Sequence, residues 1–89
     1  QSMQKDMMKA KEEVDAMTFV GTSSFVSVTV KGTKEVIKVT IDNDDLSSDD
    51  KEMLEDMLVI ALNDAFKQVD KMTEQKMGKF TSMMPGGLF

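Results

Sequence analysis

The stretch Met57-Leu58-Val59-Ile60-Ala61-Leu62 decides the fold, because six consecutive apolar residues cover every side of an α-helix. One small sheet can cover only one side of such a helix. The stretch therefore favours a helix packed between its own sheet and a second subunit; a central helix in a monomer is the alternative. The expected dimer interface consists of apolar residues in and next to this stretch: Leu54, Met57, Leu58, Ala61, Leu62 and Ala65.

The helix that contains this stretch is predicted from about Asp49 to about Phe80, and its charges are sorted along its length. Carboxylates cluster at its start and lysines near its end, which complements the helix dipole. Such a helix is about 45 Å long, whereas a compact chain of this size has a radius of gyration of about 12 Å. The helix is therefore expected to project beyond its globule. Ser47, Ser48 or Asp49 is the candidate N-cap.

The residues before this helix predict a shorter helix and three strands. A 4-3-4-3 spacing of apolar residues predicts the first helix: Met3, Met7, Ala10, Val14 and Met17. From residue 18 the pattern alternates with period two, which predicts strands at 19–20, 25–31 and 34–41. The hairpin turn between the last two is predicted at 31–34, where Gly32 is able to take a positive φ. The fold class is therefore α+β, an α-β-β-β-α subunit with a small antiparallel sheet and two long helices.

The composition limits the class of protein. The 89 residues contain no His, Cys, Tyr, Trp or Arg, so the usual proton shuttle and the best nucleophile are both missing. An enzyme, a small-molecule substrate, a cofactor and a metal are therefore not expected, and no apolar run is long enough to span a membrane. We expect a single domain over residues 1–82 and a flexible tail at 83–89.

The charge is unevenly distributed. The net charge is −5, but residues 42–56 hold eight carboxylates and one lysine, which leaves the rest of the chain at +2. We call residues 42–56 the acidic patch. Its carboxylates offer the oxygen ligands that calcium prefers, but Leu46, Ser47 and Met53 break the calcium-loop pattern, so a solvated helix start is the favoured interpretation.

The ten methionines and the helix lysines each have two interpretations. Methionine can mark an adaptable binding surface, but most of these residues fall on the predicted core stripes. The lysines near the end of the long helix can form salt bridges within the helix or contact phosphates. As phosphate contacts they would be point charges that bind the nucleic-acid backbone and recognise little of the base sequence.

The chain resembles the YbaB/EbfC family of bacterial nucleoid-associated proteins over nearly its whole length. The resemblance is carried by Glu12-Glu13-Val14-Asp15-Ala16-Met17, Val20-Gly21, Val28-Thr29-Val30-Lys31-Gly32, Glu35-Val36-Ile37-Lys38-Val39-Thr40-Ile41-Asp42, Glu52-Met53-Leu54-Glu55-Asp56-Met57-Leu58-Val59-Ile60-Ala61-Leu62-Asn63-Asp64-Ala65, Lys76-Met77-Gly78-Lys79 and Pro85-Gly86-Gly87. It implies an intertwined homodimer with projecting helices, double-stranded DNA as partner with little sequence preference, and a cytoplasmic, nucleoid-located role in chromosome organisation or gene regulation.

The leading hypothesis is accordingly a homodimeric, non-enzymatic DNA-binding protein. The lysines of both helices are the candidate phosphate contacts: Lys5, Lys9, Lys11, Lys67, Lys71, Lys76 and Lys79. The alternative is a dimeric protein-interaction module that docks another protein through its acidic loop or its methionine-rich surface.

Overall fold

The chain folds as the predicted α+β subunit. The computed structural model describes residues 2–81, and it describes side chains from 3 to 78. The elements, in chain order, are α1 (Ser2–Ala16), β1 (Thr18–Ser23), β2 (Val26–Lys31), β3 (Val36–Ile41), a 3-10 turn (Ser48–Asp50) and α2 (Lys51–Thr81). The strands form one antiparallel sheet in the order β1-β2-β3. The predicted tail at 83–89 lies outside the described residues.

The core lies between α2 and the first two strands of the sheet. Val26, Val28 and Val30 of β2 are completely buried, as their alternation with polar residues predicts. They pack against Ala61 and Ala65 of α2, one helical turn apart and also completely buried. The main contacts of α2 with the sheet are to β1 and β2, so β3 extends beyond the helix.

A glycine on β1 sets how closely α2 approaches the sheet. A Cβ atom on Gly21 would collide with the carbonyl oxygen of Ala61 and with the amide nitrogen of Ala65. Two small helix residues and a strand glycine therefore allow the two backbones to touch. Any side chain at position 21 would push the helix away from the sheet.

The two hairpin turns use residues other than the predicted glycine in the left-handed conformation. The left-handed residues are Ser24 in the β1–β2 turn, with φ 54°, and Lys34 in the β2–β3 turn, with φ 72°. Gly32 is able to take a positive φ, but in this turn Lys34 adopts it instead. Gly32 is needed for space instead, since its Cβ would collide with the backbone carbonyl of Val14 at the end of α1.

The long helix begins with a capped 3-10 turn. The backbone N–H of Ser47 donates to Asp50 Oδ2 at 3.0 Å, and the Ser47 hydroxyl accepts from the Asp49 N–H at 3.3 Å. Ser47 is therefore the N-cap among the three predicted candidates, and the capping box joins it to Asp50.

The far half of α2 projects from the sheet and is covered by α1. Val14 of α1 lies with Val69 and Thr73 of α2, whereas Ala10 lies with Met77, so the two helices run antiparallel. The partly buried methionines of α1 extend this contact toward the tip. We call α1 together with residues 69–81 of α2 the helical arm. The molecule measures 57 × 23 × 14 Å with a radius of gyration of 17.0 Å, which matches the predicted projection.

Two glycines of the chain should respond oppositely to substitution by alanine. Gly21→Ala should lower the free energy of unfolding by about 1–3 kcal/mol, because it overpacks the contact with α2. Gly78→Ala should raise it by about 0.5–1 kcal/mol, because Gly78 is helical and the space around it is open. Urea unfolding of both variants measures the difference. A Gly21→Ala variant as stable as the parent would contradict the close contact.

Candidate nucleic-acid interface

The candidate lysines of α1 lie on the helical arm. Lys5 and Lys9 are exposed, and neither forms an ion pair with any described side chain. Lys11 differs, because its Nζ lies 2.9 Å from Oδ2 of Asp15, one helical turn away. Lys5 and Lys9 therefore have no described carboxylate to leave before they bind an external anion, whereas Lys11 already has a carboxylate partner.

The candidate lysines of α2 divide in the same way. Lys67 and Lys71 are exposed, one turn apart, on the helix face opposite the buried Val69, and no described carboxylate pairs with them. Lys76 Nζ lies 3.3 Å from Oε2 of Glu13 and so joins the two helices of the arm. The side chain of Lys79 lies outside the described residues.

The acidic patch lies at the opposite end of α2 from the arm. Asp56 is the carboxylate of the patch closest in sequence to the candidate lysines of α2, and Lys67 lies eleven positions after it. That separation is about 16 Å along the helix axis, which is about twice the Debye length at physiological salt. The negative patch therefore does not cancel the field of the lysines at short range, although the net charge of the chain is −5.

A lysine in the β2–β3 turn was not among the candidates. Lys34 Nζ lies 2.8 Å from Oδ1 of Asp70 on α2, and it holds the turn against the flank of the helix. This neutralises the carboxylate closest to Lys67 and Lys71 in sequence, and so favours a positive surface there. Proximity to Asp70 arises only on folding, since 36 residues separate the two positions in the chain.

The residues predicted for a dimer interface differ in how deeply they are buried in the subunit. Ala61 and Ala65 are completely buried against β1, so their side chains already serve the core of the subunit. The other four are half-buried against the same core: Leu54, Met57, Leu58 and Leu62. Their part in an interface stays a prediction.

The most exposed apolar side chains of the sheet and of the central part of α2 were not in the predicted set. Val59 is 57% exposed and Ile60 is 56% exposed, although both belong to the apolar block of α2. All six residues of β3 are exposed, and four of them are aliphatic: Val36, Ile37, Val39 and Ile41. The adjacent apolar residues Val36 and Ile37 were the sequence signal for this surface. The alternation of apolar and polar residues, however, does not indicate which strand a helix covers.

The described part of the chain has a groove beside the arm but no grouped metal ligands. A groove of about 370 Å³ lies between the end of α1, the β2–β3 turn and α2, and its charged lining residues are already paired: Lys11 with Asp15, and Lys34 with Asp70. Within residues 2–81 no three potential metal-binding side chains are grouped closely enough to hold an ion. No helix in this range combines the length and apolar character needed to cross a membrane.

The amino-acid sequence matches a known family of DNA-binding proteins. Residues 1–84 match the model of the YbaB/EbfC DNA-binding family. The chain belongs to this family. It is therefore a DNA-binding protein of the nucleoid-associated class and not an enzyme, as the sequence predicts.

Named relatives support this placement. A nucleoid-associated protein of Lactococcus lactis subsp. cremoris (strain MG1363) is 41% identical over 87 residues, which are 96% of this chain and 88% of the relative. One of Exiguobacterium sp. (strain ATCC BAA-1283 / AT1b) is 46% identical over 81 residues, 89% of this chain and 77% of the relative. The crystal structure of the uncharacterized protein HP0035 from Helicobacter pylori matches with a TM-score of 0.70 at 28% identity, covering 93% of this chain and 87% of that one.

Proposed function

We propose that the chain binds double-stranded DNA as a homodimer through backbone phosphates, with little sequence preference. The observation that carries the proposal is the set of four lysines on and next to the helical arm that have no described carboxylate partner: Lys5, Lys9, Lys67 and Lys71. Lys11 and Lys76 are secondary contacts, because each must leave a carboxylate to bind a phosphate. Lys79 completes the set from the sequence alone.

The chemistry of these residues favours binding to the DNA backbone over recognition of the base sequence. Lysine is a compact point charge without the planar fork with which arginine recognises a guanine edge, and the chain contains no arginine. Phosphate contacts position a protein on a duplex but carry no sequence information. Any sequence preference would therefore come from the shape or flexibility of the DNA. By this proposal the protein works in the cytoplasm on the nucleoid, where it organises the chromosome and affects gene expression.

The homodimer in this proposal is supported by the uncovered apolar surface of the subunit. Monomeric proteins rarely leave a contiguous apolar patch exposed without a function, and here a whole strand and part of the central helix are uncovered. Two subunits would also double the number of phosphate contacts per particle. Light scattering should show a particle of twice the chain mass of 9.9 kDa at micromolar concentration.

DNA affinity should fall steeply with salt. If the four free lysines of both subunits each contact one phosphate, the slope of log K against log salt concentration approaches about −7. A fluorescence-anisotropy titration of a random-sequence duplex between 50 and 200 mM salt measures this slope. Binding that is absent at low salt, or equal at both ends of the range, would exclude the phosphate-contact proposal.

Two double variants with the same change in charge separate free lysines from paired ones. Lys67→Gln with Lys71→Gln should reduce the salt slope by about 3 to 4 in a dimer, because it removes four unpaired cations. Lys11→Gln with Lys76→Gln removes as much charge but should reduce the slope by less, because those lysines already neutralise Asp15 and Glu13. Equal effects would mean that net charge alone governs binding.

Releasing Lys76 from its carboxylate should strengthen binding. Glu13→Gln removes the partner at 3.3 Å, and the affinity for duplex DNA should rise about two- to fivefold, the equivalent of an exposed ion pair of 0.4–1 kcal/mol. Glu12→Gln is the matched control, because Glu12 is exposed and has no described ion-pair partner. If both variants raise the affinity equally, the Glu13–Lys76 pair does not compete with DNA.

A further inference from the structure

The tip of the helical arm is packed by methionine side chains. Met77 of α2 is only 9% exposed and is grouped with Ala10 of α1, and Met3 and Met7 pack on this pair while they remain partly accessible. We call Met3, Met7 and Met77 the methionine cluster. Three of the four apolar residues grouped at this place are thioethers, so the contact between the two helices here depends on sulfur-containing side chains.

The other end of α1 is held by different interactions. The N–H of Gly32 donates to the carbonyl of Met17 at 3.0 Å, and Val14 is buried. Farther along, Lys76 and Glu13 form an exposed ion pair, which contributes little to stability. Helix α1 has only 15 residues, and isolated helices of this length are marginal in water. The first half of α1 therefore depends on the methionine cluster for its packing.

Methionine is the most readily oxidised type of side chain in this sequence, since Cys, His, Tyr and Trp are all absent. A hydroperoxide transfers one oxygen atom to the thioether sulfur. The O–O bond breaks, an S–O bond forms, and sulfur loses two electrons while the peroxide and its proton leave as an alcohol or as water. The product, methionine sulfoxide, is polar, so burying it in an apolar contact is unfavourable.

The accessibility of the methionine side chains defines a target and an internal control. Met3 and Met7 are partly accessible, so an oxidant reaches the cluster from the α1 side. Met8 is 61% exposed and lies outside the cluster, because consecutive helical residues point about 100° apart. Oxidation of Met8 should therefore be fast and should leave the packing of the arm unchanged.

We propose that the methionine cluster is an oxidation site that controls the helical arm. Hydroperoxides convert its thioethers to sulfoxides, and the first half of α1 then separates from α2, while the end of α1 stays attached to the sheet. Because methionine sulfoxide is reversible by the sulfoxide reductases, one enzyme for each epimer, the change can be undone.

The consequence for DNA binding rests on the proposed function. Lys5 and Lys9 lie on the part of α1 that separates, whereas Lys67 and Lys71 lie on α2, which packs on the sheet without the cluster. Lysines on an unfolded segment must be ordered again at an entropic cost before they bind phosphates at fixed positions. Oxidation should therefore change the slope of log K against log salt concentration from about −7 toward about −4.

Hydrogen exchange after peroxide treatment tests the state of the arm directly. Mass spectrometry locates the sulfoxides, and amide exchange at residues 2–10 should accelerate by about tenfold or more, whereas the middle of α2 should stay protected. The variant Met3→Leu with Met7→Leu and Met77→Leu should resist this change, because leucine has a similar volume and is not oxidised. Met8→Leu with Met53→Leu is the control, since both residues are exposed and outside the cluster, and it should respond like the parent.

Circular dichroism and thermal melts before treatment establish that both variants are folded. Sulfoxide at Met8 without sulfoxide in the cluster would overturn the proposal. So would a cluster that carries sulfoxide while residues 2–10 stay protected, or a triple leucine variant that responds as strongly as the parent. Treatment of the oxidised parent with both sulfoxide reductases should restore the protection.

Fluorescence anisotropy with a random-sequence duplex tests the link to DNA. A smaller salt slope after oxidation, retained at its full value in the triple leucine variant, is the expected result. Loss of protection in the arm with an unchanged slope would overturn the link to DNA. A protein that binds no duplex before oxidation would overturn the proposed function alone, because hydrogen exchange still reports on the oxidation of the arm.

Discussion

The contact between Gly21 on β1 and the alanines at 61 and 65 on α2 is the constraint on which the rest of the structure depends. Because none of the three has more than a methyl group, the helix backbone lies directly on the strand. This position centres α2 over β1 and β2 and brings Asp64 and Gln68 to the outer edge of β1. The same displacement leaves β3 without a cover. The hydrogen bonds from α2 to the outer edge of β1 and the exposure of β3 are therefore two results of one close contact.

The length of α2 is the second determinant of the shape. Strands of six residues span about 20 Å, whereas the 31 residues of α2 span about 46 Å. The excess must be packed elsewhere, since an isolated helical extension of this length is marginal in water. Helix α1 supplies the packing through Ala10 and Val14, and its methionines adapt to the remaining gaps near Met77. The lysines are thus carried on a two-helix arm and not on a single frayed helix.

The sequence predicted the elements well because each has its own period. The valines of β2 and the apolar seam of α1 are visible as repeats of two and of three to four residues, and the structure contains both elements. The sequence did not predict which apolar residues would pack in the core of the subunit. Ala61 and Ala65 were expected at a dimer interface, but a six-residue apolar run has no side that is marked as facing the sheet. Val39 and Ile41 of β3 alternate with polar residues as the valines of β2 do, yet α2 packs on β1 and β2.

The same limit applies to the lysines. Sequence spacing identifies partners one helical turn apart, such as Lys11 and Asp15, but the pair of Lys76 with Glu13 joins residues 63 positions apart. The turn before β3 shows a related limit: Gly32 is able to take a left-handed φ, but it provides space for the end of α1 and Lys34 adopts the left-handed conformation. The pair of Lys76 with Glu13 and the contact of Gly32 with Val14 join residues that are far apart in the sequence, and only the fold brings them together.

An acidic chain can belong to a DNA-binding family when its charges are separated by more than the range of screening. The last carboxylates of the acidic patch lie at the start of α2, and the free Lys67 and Lys71 lie in its second half. At physiological salt a phosphate beside Lys71 would therefore be attracted by the lysine and barely repelled by the patch. At low salt the Debye length grows to about 30 Å at 0.01 M, and the patch then acts on the whole duplex. The patch would repel any part of the DNA that approaches the sheet end of the molecule. Under the proposed function, the sorted charge of α2 would therefore influence where a duplex lies as well as whether it binds, and it would favour the arm.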